Sequence, residues 1–312
     1  MYRMEIITGT LAFELNRDTA VAIGKFDGLH LGHQSLLQVI LKKKQEGLAA
    51  CVLTFDPSPA VLFGLTDGKE LATKEEKRRR LEKMGVDILV EFPMTRENAA
   101  MDPRAFIEQV LVKKMHVRYL VAGMDVSFGA KGAGNAVLLK NLADIYGYGM
   151  DTIDKVTRNG IEISSTYVRS KVEEGCMEEA TQLLGVPYTM EGVVQHGKAL
   201  GHKLGMPTVN LIPSPGKLLP PCGVYYSQVC YHDKIYSAIS NIGYKPTVSD
   251  EKVLGVETYL YDFAQQIYGE RIEVSFLSFK RPEMCFQNLD ELKAQMQKDI
   301  LEGKKYHLGK IG

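Results

Sequence analysis

The sequence predicts an α/β first half and a small all-β second half. In the first half, apolar runs such as residues 20–23 and 49–55 alternate with amphipathic segments such as residues 33–44. Strict alternation of this kind is typical of a parallel sheet with helices on both faces. In the second half, residues 272–276 alternate apolar and polar side chains, the period-two pattern of antiparallel strands. We therefore expect a parallel sheet, followed by a small antiparallel β-barrel with a closing helix.

The first half contains clear start signals for its helices. Thr73 is followed three residues later by Glu76, as in a capping box. Asp102 is an N-cap residue with Pro103 at the first helical position. The basic run at residues 77–80 has acidic neighbours, which predicts a solvated helix face. The predicted strands cover residues 4–8, 20–23, 49–55, 87–92, 118–122 and 150–156, and the helices cover residues 33–44, 103–115 and 137–146 and the segment after Thr73.

The sequence pattern changes from alternating helices and strands to strands of period two after a short predicted helix at residues 177–184, near Gly185-Val186-Pro187. The closing helix is expected to begin at Asn288, to have Glu291 at its third position and to end before Gly303. We therefore expect two domains, residues 1–186 and 187–312. The predicted strands of the second domain include residues 223–231, 234–241 and 254–263.

The composition is that of an ordinary two-domain protein. Its 312 residues, 45% of them hydrophobic, are enough for two cores. The 38 basic and 38 acidic residues balance, so neither nucleic acid nor an anionic membrane is expected as a partner. The sequence has no signal-peptide pattern and no apolar run of membrane-spanning length, and its five cysteines are scattered without a CxxC pair. We expect a cytoplasmic protein that acts on small molecules, and self-association is left open.

A glycine-rich turn at residues 24–33 connects a predicted buried strand to a helix. Free backbone N–H groups and the positive end of the helix dipole favour a bound anion there. His30 and His33 are three residues apart, which places both imidazoles on one face of the first helical turn. The arrangement suits a nucleoside triphosphate, and taken alone the histidines also fit surface residues or metal ligands. The turn has neither a P-loop ending nor a GxGxxG fingerprint.

Other polar segments are expected at the same edge of the sheet. Turns at residues 56–59 and 123–129 also follow predicted strands, and the carboxyl ends of parallel strands share one edge. Residues 163–169 add three hydroxyls at a helix start and Arg169 one turn later, groups that can hold phosphate oxygens. Taken alone, this last segment also fits a plain helix cap with a surface arginine.

The second half contains a glycine-rich stretch at residues 192–211. Glycines such as Gly201 and Gly205 let the backbone approach a ligand closely. In an extended chain Thr208 and Asn210 point to the same side. A hydroxyl and an amide oxygen side by side suit magnesium, a hard cation. Alone, the segment also fits a turn that enters a strand.

These segments resemble a known family. Residues 30–33 resemble the HxGH motif of the nucleotidyltransferase superfamily, and with Phe26-Asp27-Gly28 they resemble the bacterial bifunctional riboflavin kinase/FAD synthetase family. Residues 163–169 resemble its ISSTxxR motif, residues 123–129 its flavin-nucleotide-binding turn, and residues 207–210 the PTxN motif of riboflavin kinases. The remaining kinase motifs follow in family order at residues 223–225, 241–243, 256–258, 268–269 and 281–283.

The resemblance implies a Rossmann-like nucleotidyltransferase domain and a riboflavin kinase barrel. One ATP would phosphorylate riboflavin to FMN, and a second ATP would adenylylate FMN to FAD with release of pyrophosphate. Thr208 and Asn210 would hold Mg²⁺ in the kinase site. Glu257, on the strand face opposite Val256, would accept the proton of the riboflavin hydroxyl.

For the adenylyl transfer, the resemblance implies that His30 and His33 supply charge and hydrogen bonds at the α-phosphate of ATP. Arg169 and Mg²⁺ would hold the outer phosphates, and Asp125 and Phe128 would contact the flavin nucleotide. The residues expected to bind nucleotide are Gly24, Phe26, Asp27, Gly28, Gly32, Ser164, Ser165, Thr166, Gly201 and Gly205.

The match to the family has departures, and alternatives stay open. Ser58, Lys25, Val126, His202 and Met206 stand where the family commonly has other residues, and these changes affect the expected affinity and flavin contacts. A protein that retains only one activity is one alternative. A non-enzymatic regulator that responds to flavin or nucleotide is another, and transfer of a nucleotidyl group to a different small phosphate is a third.

Overall fold

A computed structural model describes residues 3–196, 206–246 and 252–309. The chain divides into two compact units, Met1–Ser165 and Thr166–Gly312. We describe each unit by itself. No helix in the described part of the chain is both long enough and apolar enough to cross a membrane.

The first unit is built on a six-stranded parallel sheet with the strand order β1-β4-β3-β2-β5-β6. All five residues of the central strand β2 are buried. Val21 and Ile23 of β2 lie in one buried cluster, and Ala20 and Ala22 lie in another. Both faces of the sheet are therefore covered, as predicted. The strands are β1 (Glu5–Thr8), β2 (Thr19–Ile23), β3 (Ala49–Asp56), β4 (Ile88–Pro93), β5 (Val117–Gly123) and β6 (Gly149–Ile153).

The helices of this unit begin at the caps that the sequence predicts. Thr73 and Glu76 form a reciprocal capping box, and Asp102 caps the helix that starts at Pro103. The helices are α1 (Leu31–Gln45), α2 (Pro59–Leu62), α3 (Lys74–Lys83), α4 (Arg96–Ala99), α5 (Pro103–Phe106) and α6 (Ala136–Tyr146), and α5 continues as a π-helical segment over Ile107–Lys114.

Two sequence predictions for this unit are wrong. The last strand ends at Ile153 rather than at residue 156, because its partner β5 ends at Gly123 and the chain turns into the hairpin β7 (Thr157–Arg158) and β8 (Ile161–Glu162). The basic run of α3 is not a solvated face. Lys77 is buried, and Arg78 pairs with the buried Glu91 of β4.

The second unit is a six-stranded antiparallel barrel with the strand order β10-β13-β12-β11-β14-β9. A bridge between Gln195 and Asn210 joins the two edges of this sheet, which closes it as predicted. Inside the barrel, the buried hydroxyls of Ser227, Ser240 and Thr258 form a hydrogen-bonded chain with 2.8 Å between successive oxygens. The strands are β9 (Tyr188–Val193), β10 (Val209–Leu211), β11 (Gly223–Tyr231), β12 (Lys234–Pro246), β13 (Lys252–Leu260) and β14 (Arg271–Arg281).

Three helices complete this part of the chain: α7 (Ser165–Glu173), α8 (Met177–Leu184) and α9 (Leu289–Leu308). Asn288 caps α9 by accepting a hydrogen bond from the N–H of Glu291, as predicted. The prediction that α9 ends before Gly303 is wrong. Gly303 lies buried inside the helix, where a Cβ atom would collide with the Tyr261 hydroxyl. This glycine serves a close approach of helix and barrel and is not a stop signal.

Candidate active sites

The parallel sheet reverses its direction of winding at β2. The chain passes from β2 to β3 and β4 on one side and later adds β5 on the other side of β2. In such sheets ligands bind beyond the carboxyl ends of the strands at this switch point. The turn after β2 begins at Gly24, and the turn after β5 follows Gly123, the last residue of that strand. Both turns lie at this edge of the sheet. The sequence prediction of one shared edge is confirmed.

The turn at residues 24–33 is held in an unusual backbone conformation. Phe26 and Leu29 have φ angles of 52° and 51°, which non-glycine residues adopt rarely, and Gly28 has a φ angle of 76°. The Phe26 ring is fully buried, and a Cβ atom on Gly24 would lie 3.2 Å from it. Strain of this kind persists where surrounding packing enforces it, often at functional sites.

The two predicted histidines lie together at the start of α1. Their ring centroids are 3.8 Å apart and the rings are stacked, which confirms that they share a face. A Cβ atom on Gly32 would come within 3.1 Å of the His30 ring, so this position is tight for any side chain. Among the described residues, the buried Nδ1 atoms of His30 and His33 have no hydrogen-bond partner. Two unsatisfied ring nitrogens side by side fit the oxygens of a phosphate.

Burial makes both imidazoles weak bases. It lowers the pKa of His30 from 6.5 to about 4, and the charge of Asp125 opposes this effect. Burial also lowers the pKa of His33 well below its usual value, with a further contribution from the positive charge of Lys77. At pH 7 both rings are therefore neutral in the free protein. They offer hydrogen bonds there, but no fixed positive charge.

Asp27 fastens the turn to its surroundings. Its carboxylate accepts hydrogen bonds from the N–H groups of Leu71 (2.8 Å) and Ala72 (3.3 Å). Its backbone carbonyl accepts one from the hydroxyl of Ser165 at 3.1 Å. The contacts bring Ser165, another predicted nucleotide ligand, to the turn. Ser164 precedes it and is half-buried.

The predicted flavin residues lie in different environments. Asp125 is exposed and close enough to His30 for its charge to influence that ring. Phe128 is buried in the core, with its ring centroid 5.3 Å from that of Phe106. Thr166 is exposed and Arg169 half-buried on α7, and both belong to the second unit.

Four further positions are two predicted nucleotide ligands and two departures from the family pattern. Gly201, Gly205 and His202 lie outside the described residues. Ser58 caps α2 by accepting a hydrogen bond from the N–H of Val61. Its role here is local.

Sequence reasoning missed Lys77. Its ammonium lies 3.5 Å from the carbonyl oxygen of Lys25, the second residue of the turn. A signal for its burial was present, because Lys77 precedes Leu81 and Met84 by four and seven residues and so shares their helix face. The prediction of a solvated face relied on the acidic neighbours of residues 77–80 and did not use this helical periodicity.

In the second unit, a cavity of about 270 Å³ lies between the outside of the barrel and α9. Glu257 lines this cavity and is the middle one of three residues that lie side by side on neighbouring strands. Glu257 is directly opposite Asn210 on β10 and Asn241 on β12, so the three side chains share one face. Glu257, Thr208 and Asn241 line the cavity. The other lining residues are Val224, Ile239, Ser240, Tyr259, Arg281, Glu283, Met284, Phe286, Leu292, Met296, Asp299 and Ile300.

An ion pair fixes α9 over this cavity. Arg281 of β14 donates to the buried carboxylate of Asp299 on α9, with its closest N–O distance at 2.6 Å. Lys280 lies 3.5 Å from the same carboxylate, and Gln295 donates to it at 2.9 Å. The far wall of the cavity is therefore tied to the sheet.

A second cavity of about 130 Å³ adjoins the first. Thr208 lines both cavities, and Pro207, Val209 and Tyr268 line the second. Thr208 therefore lies where ligands in the two cavities would meet.

Two family models match successive parts of the chain. The family model for FAD synthetase matches residues 12–167, and the model for riboflavin kinase matches residues 184–307. A bifunctional riboflavin kinase/FMN adenylyltransferase of Listeria monocytogenes is 39% identical over 89% of each chain. The chain belongs to the bifunctional riboflavin kinase/FMN adenylyltransferase family.

A second relative agrees with membership of this family, and a solved structure shares the fold. The protein of the same name from Bacillus subtilis is 33% identical over 92% of each chain. A solved structure from Streptococcus pneumoniae, described as a macrolide-efflux protein, has a TM-score of 0.85 and 29% identity. That likeness covers 97% of this chain and 99% of the other. The resemblance noted from the sequence motifs is thus confirmed, and so is the fold.

Proposed function

We infer that this protein is an enzyme that makes both flavin cofactors. It phosphorylates riboflavin with ATP to give FMN, and it adenylylates FMN with a second ATP to give FAD and pyrophosphate. The observation that carries this function is the match of two family models in succession, residues 12–167 and 184–307, each to a segment that contains most of the residues proposed for its own site. We keep the domain boundary at residues 186 and 187, supported by the start of the riboflavin kinase match at residue 184.

For the adenylyl transfer, a phosphate oxygen of FMN attacks the α-phosphorus of ATP and pyrophosphate leaves. The protein supplies no covalent nucleophile, so its contribution is alignment and stabilisation of charge. The stacked pair His30 and His33, with unpartnered Nδ1 atoms, supports a role in binding phosphate oxygens. Neutral imidazoles donate hydrogen bonds, and a nearby polyphosphate would raise their pKa values.

The other proposed roles at this site follow from the family motifs. Ser164, Ser165, Thr166 and Arg169 are proposed to hold the outer phosphates of ATP. The backbone at Gly24, Phe26, Gly28 and Gly32 is proposed to hold nucleotide. Asp27 is proposed to act by fixing the turn, since its carboxylate already accepts two N–H groups. Asp125 and Phe128 are proposed for the flavin nucleotide, with the buried Phe128 shaping the turn rather than presenting an exposed ring.

For the kinase reaction, we propose that riboflavin binds in the larger cavity and ATP in the smaller one. Thr208 is common to both, which supports transfer of the γ-phosphoryl group at this point. Glu257 faces the larger cavity and is proposed to accept the proton of the riboflavin hydroxyl as the new P–O bond forms, the bond between the γ-phosphorus and ADP breaks and ADP leaves. Gly201 and Gly205 are proposed to cover the nucleotide.

The residues near Thr208 fit Mg²⁺. The hydroxyl of Thr208 and the amide oxygen of the buried Asn210 are hard oxygen donors, and Asn210 lies directly opposite Glu257. When bound, Mg²⁺ would neutralise charge on the phosphates of ATP. Omission of Mg²⁺ should abolish FMN formation, which chromatography of the reaction products would show.

One experiment tests the whole proposal. The purified protein is incubated with riboflavin and Mg-ATP, and riboflavin, FMN and FAD are separated by chromatography. Formation of FMN and then FAD is expected. FMN without FAD, or FAD only when FMN is supplied, would mean that one activity has been lost. No conversion of either flavin would contradict the enzymatic function and favour a regulator.

Two further predictions accompany this function. We propose a cytoplasmic location, which is supported by the supply of ATP in that compartment and by five free cysteines. Self-association stays a prediction, and light scattering of the purified protein tests it.

A further inference from the structure

A buried lysine lies directly against the turn of the first unit. Lys77 is only 7% exposed, and its ammonium donates to the carbonyl oxygen of Lys25 at 3.5 Å. Lysine side chains on a helix normally extend their charged ends into water, as the exposed Lys83 of the same helix does. A buried ammonium is costly unless hydrogen bonds or an opposite charge compensate for the loss of water.

The helix that carries Lys77 is firmly held. The next residue, Arg78, donates two hydrogen bonds to the buried carboxylate of Glu91, at 2.9 Å and 2.5 Å. Thr73 and Glu76 close the start of the helix with a capping box. Lys77 is therefore fixed at the turn by its helix, so the burial of its ammonium is a consequence of the fold.

The surroundings of Lys77 are those of the nucleotide site. Its charge acts on the ring of His33 and on the half-buried carboxyl of Glu70, whose pKa is raised by burial. The two histidines are neutral at pH 7, while ATP carries several negative charges. The described part of the first unit thus offers one buried ammonium beside two uncharged imidazoles, and the ammonium brings the positive charge that the imidazoles lack.

We propose that Lys77 is an electrostatic positioning residue of the adenylyl-transfer site, whose charge acts across the Lys25 backbone to hold the phosphates of ATP at the turn. The inference rests on the proposed function. In the reaction, the bond between the FMN phosphate oxygen and the α-phosphorus forms and the bond to pyrophosphate breaks. Lys77 forms no bond to the substrates and transfers no proton.

The test compares three variants of the full chain with the wild type. Lys77→Met removes the charge and the hydrogen bond, Lys77→Gln removes the charge but keeps a donor, and Lys77→Arg keeps both. Lys83→Met is the matched control, because Lys83 is an exposed lysine on the same helix. Conversion of FMN to FAD is measured over a range of ATP concentrations. Phosphorylation of riboflavin by the same preparation reports whether the chain is folded.

We expect Lys77→Met and Lys77→Gln to lower kcat/KM for ATP in FAD formation roughly 10- to 100-fold, the scale of a lost charged interaction. Lys77→Arg should recover most of this loss, and Lys83→Met should match the wild type. Wild-type kcat/KM in Lys77→Gln would overturn the inference. So would equal losses in Lys77→Gln and Lys77→Arg, since a purely structural lysine would give that result.

A binding measurement separates this inference from the proposed function. Calorimetry compares ATP with adenosine, which has no phosphates, on the wild type and on Lys77→Gln. The proposed ATP site of the second unit is the same in both proteins, so a difference between them reports on the first unit. Weaker binding of ATP with unchanged binding of adenosine is expected. Equal weakening of both would overturn the inference. If the wild type forms no FAD, the proposed function fails, and the same calorimetry still decides whether Lys77 holds phosphates.

Discussion

Acid should destabilise the first unit through His30. The pKa of this buried imidazole is about 4 in the folded protein, against 6.5 for an ordinary histidine. Between these values the unfolded chain binds a proton that the folded chain excludes. The stabilising contribution of neutral His30 is therefore complete above pH 6.5, and it is lost as the pH falls towards 4.

The size of the effect follows from the two pKa values. They differ by about 2.5, and each pKa unit corresponds to 1.36 kcal/mol, so acidification from pH 7 to pH 4 costs about 3 kcal/mol through this residue. His33 contributes in the same direction, because burial also lowers its pKa. A variant is needed to separate the two histidines.

The assay is urea unfolding of the wild type and of His30→Gln at pH 7, 5.5 and 4.5, followed by circular dichroism. The protein has no tryptophan, so intrinsic fluorescence is a poor signal. The free energy of unfolding should fall less steeply with acid in His30→Gln than in the wild type. Parallel pH dependences for the two proteins would refute a depressed pKa at His30, and with it the neutral state that we assign to that ring.

Three further variants test the two sites and the barrel. His33→Ala should lower the rate of FAD formation from FMN by roughly 10²–10³, the usual scale for one lost donor, while riboflavin phosphorylation continues; an unchanged rate of FAD formation would remove His33 from the site. Glu257→Gln should abolish FMN formation but still convert supplied FMN to FAD, and chromatography that shows riboflavin phosphorylation would exclude it as the base. Gly303→Ala should lower the free energy of unfolding by about 1–3 kcal/mol in urea, because its methyl group collides with Tyr261. Gly309→Ala is the control, since a Cβ there meets its nearest atom at an ordinary 3.5 Å, and an equal loss there would contradict the collision.

Local patterns predict much of this fold because the relevant forces are local. The fully buried β2 appears in the sequence as a continuous apolar run, and the capping box of Thr73 and Glu76 needs only neighbouring residues. His30, the extended N-cap residue of α1, and His33 in its first turn come together within one short segment. Each of these features leaves its signal in residues that are neighbours in the sequence.

The features that the sequence does not reveal depend on distant contacts. The sequence suggests that Gly303 ends the helix, and only its close approach to Tyr261, which directly follows β13, explains why a glycine lies inside the helix. The row of Asn210, Glu257 and Asn241 depends on the register between three strands, which no single strand encodes. The burial of Lys77 depends on the turn at residues 24–33, which is distant from it in the sequence.

The position of Thr208 in the walls of both cavities has a thermodynamic consequence. A ligand in one cavity that immobilises Thr208 changes the free energy of ligand binding in the other cavity. Such coupling is reciprocal, so the factor by which nucleotide changes the affinity for riboflavin must equal the factor by which riboflavin changes the affinity for nucleotide. We therefore expect the two substrates of the kinase to be measurably cooperative at equilibrium.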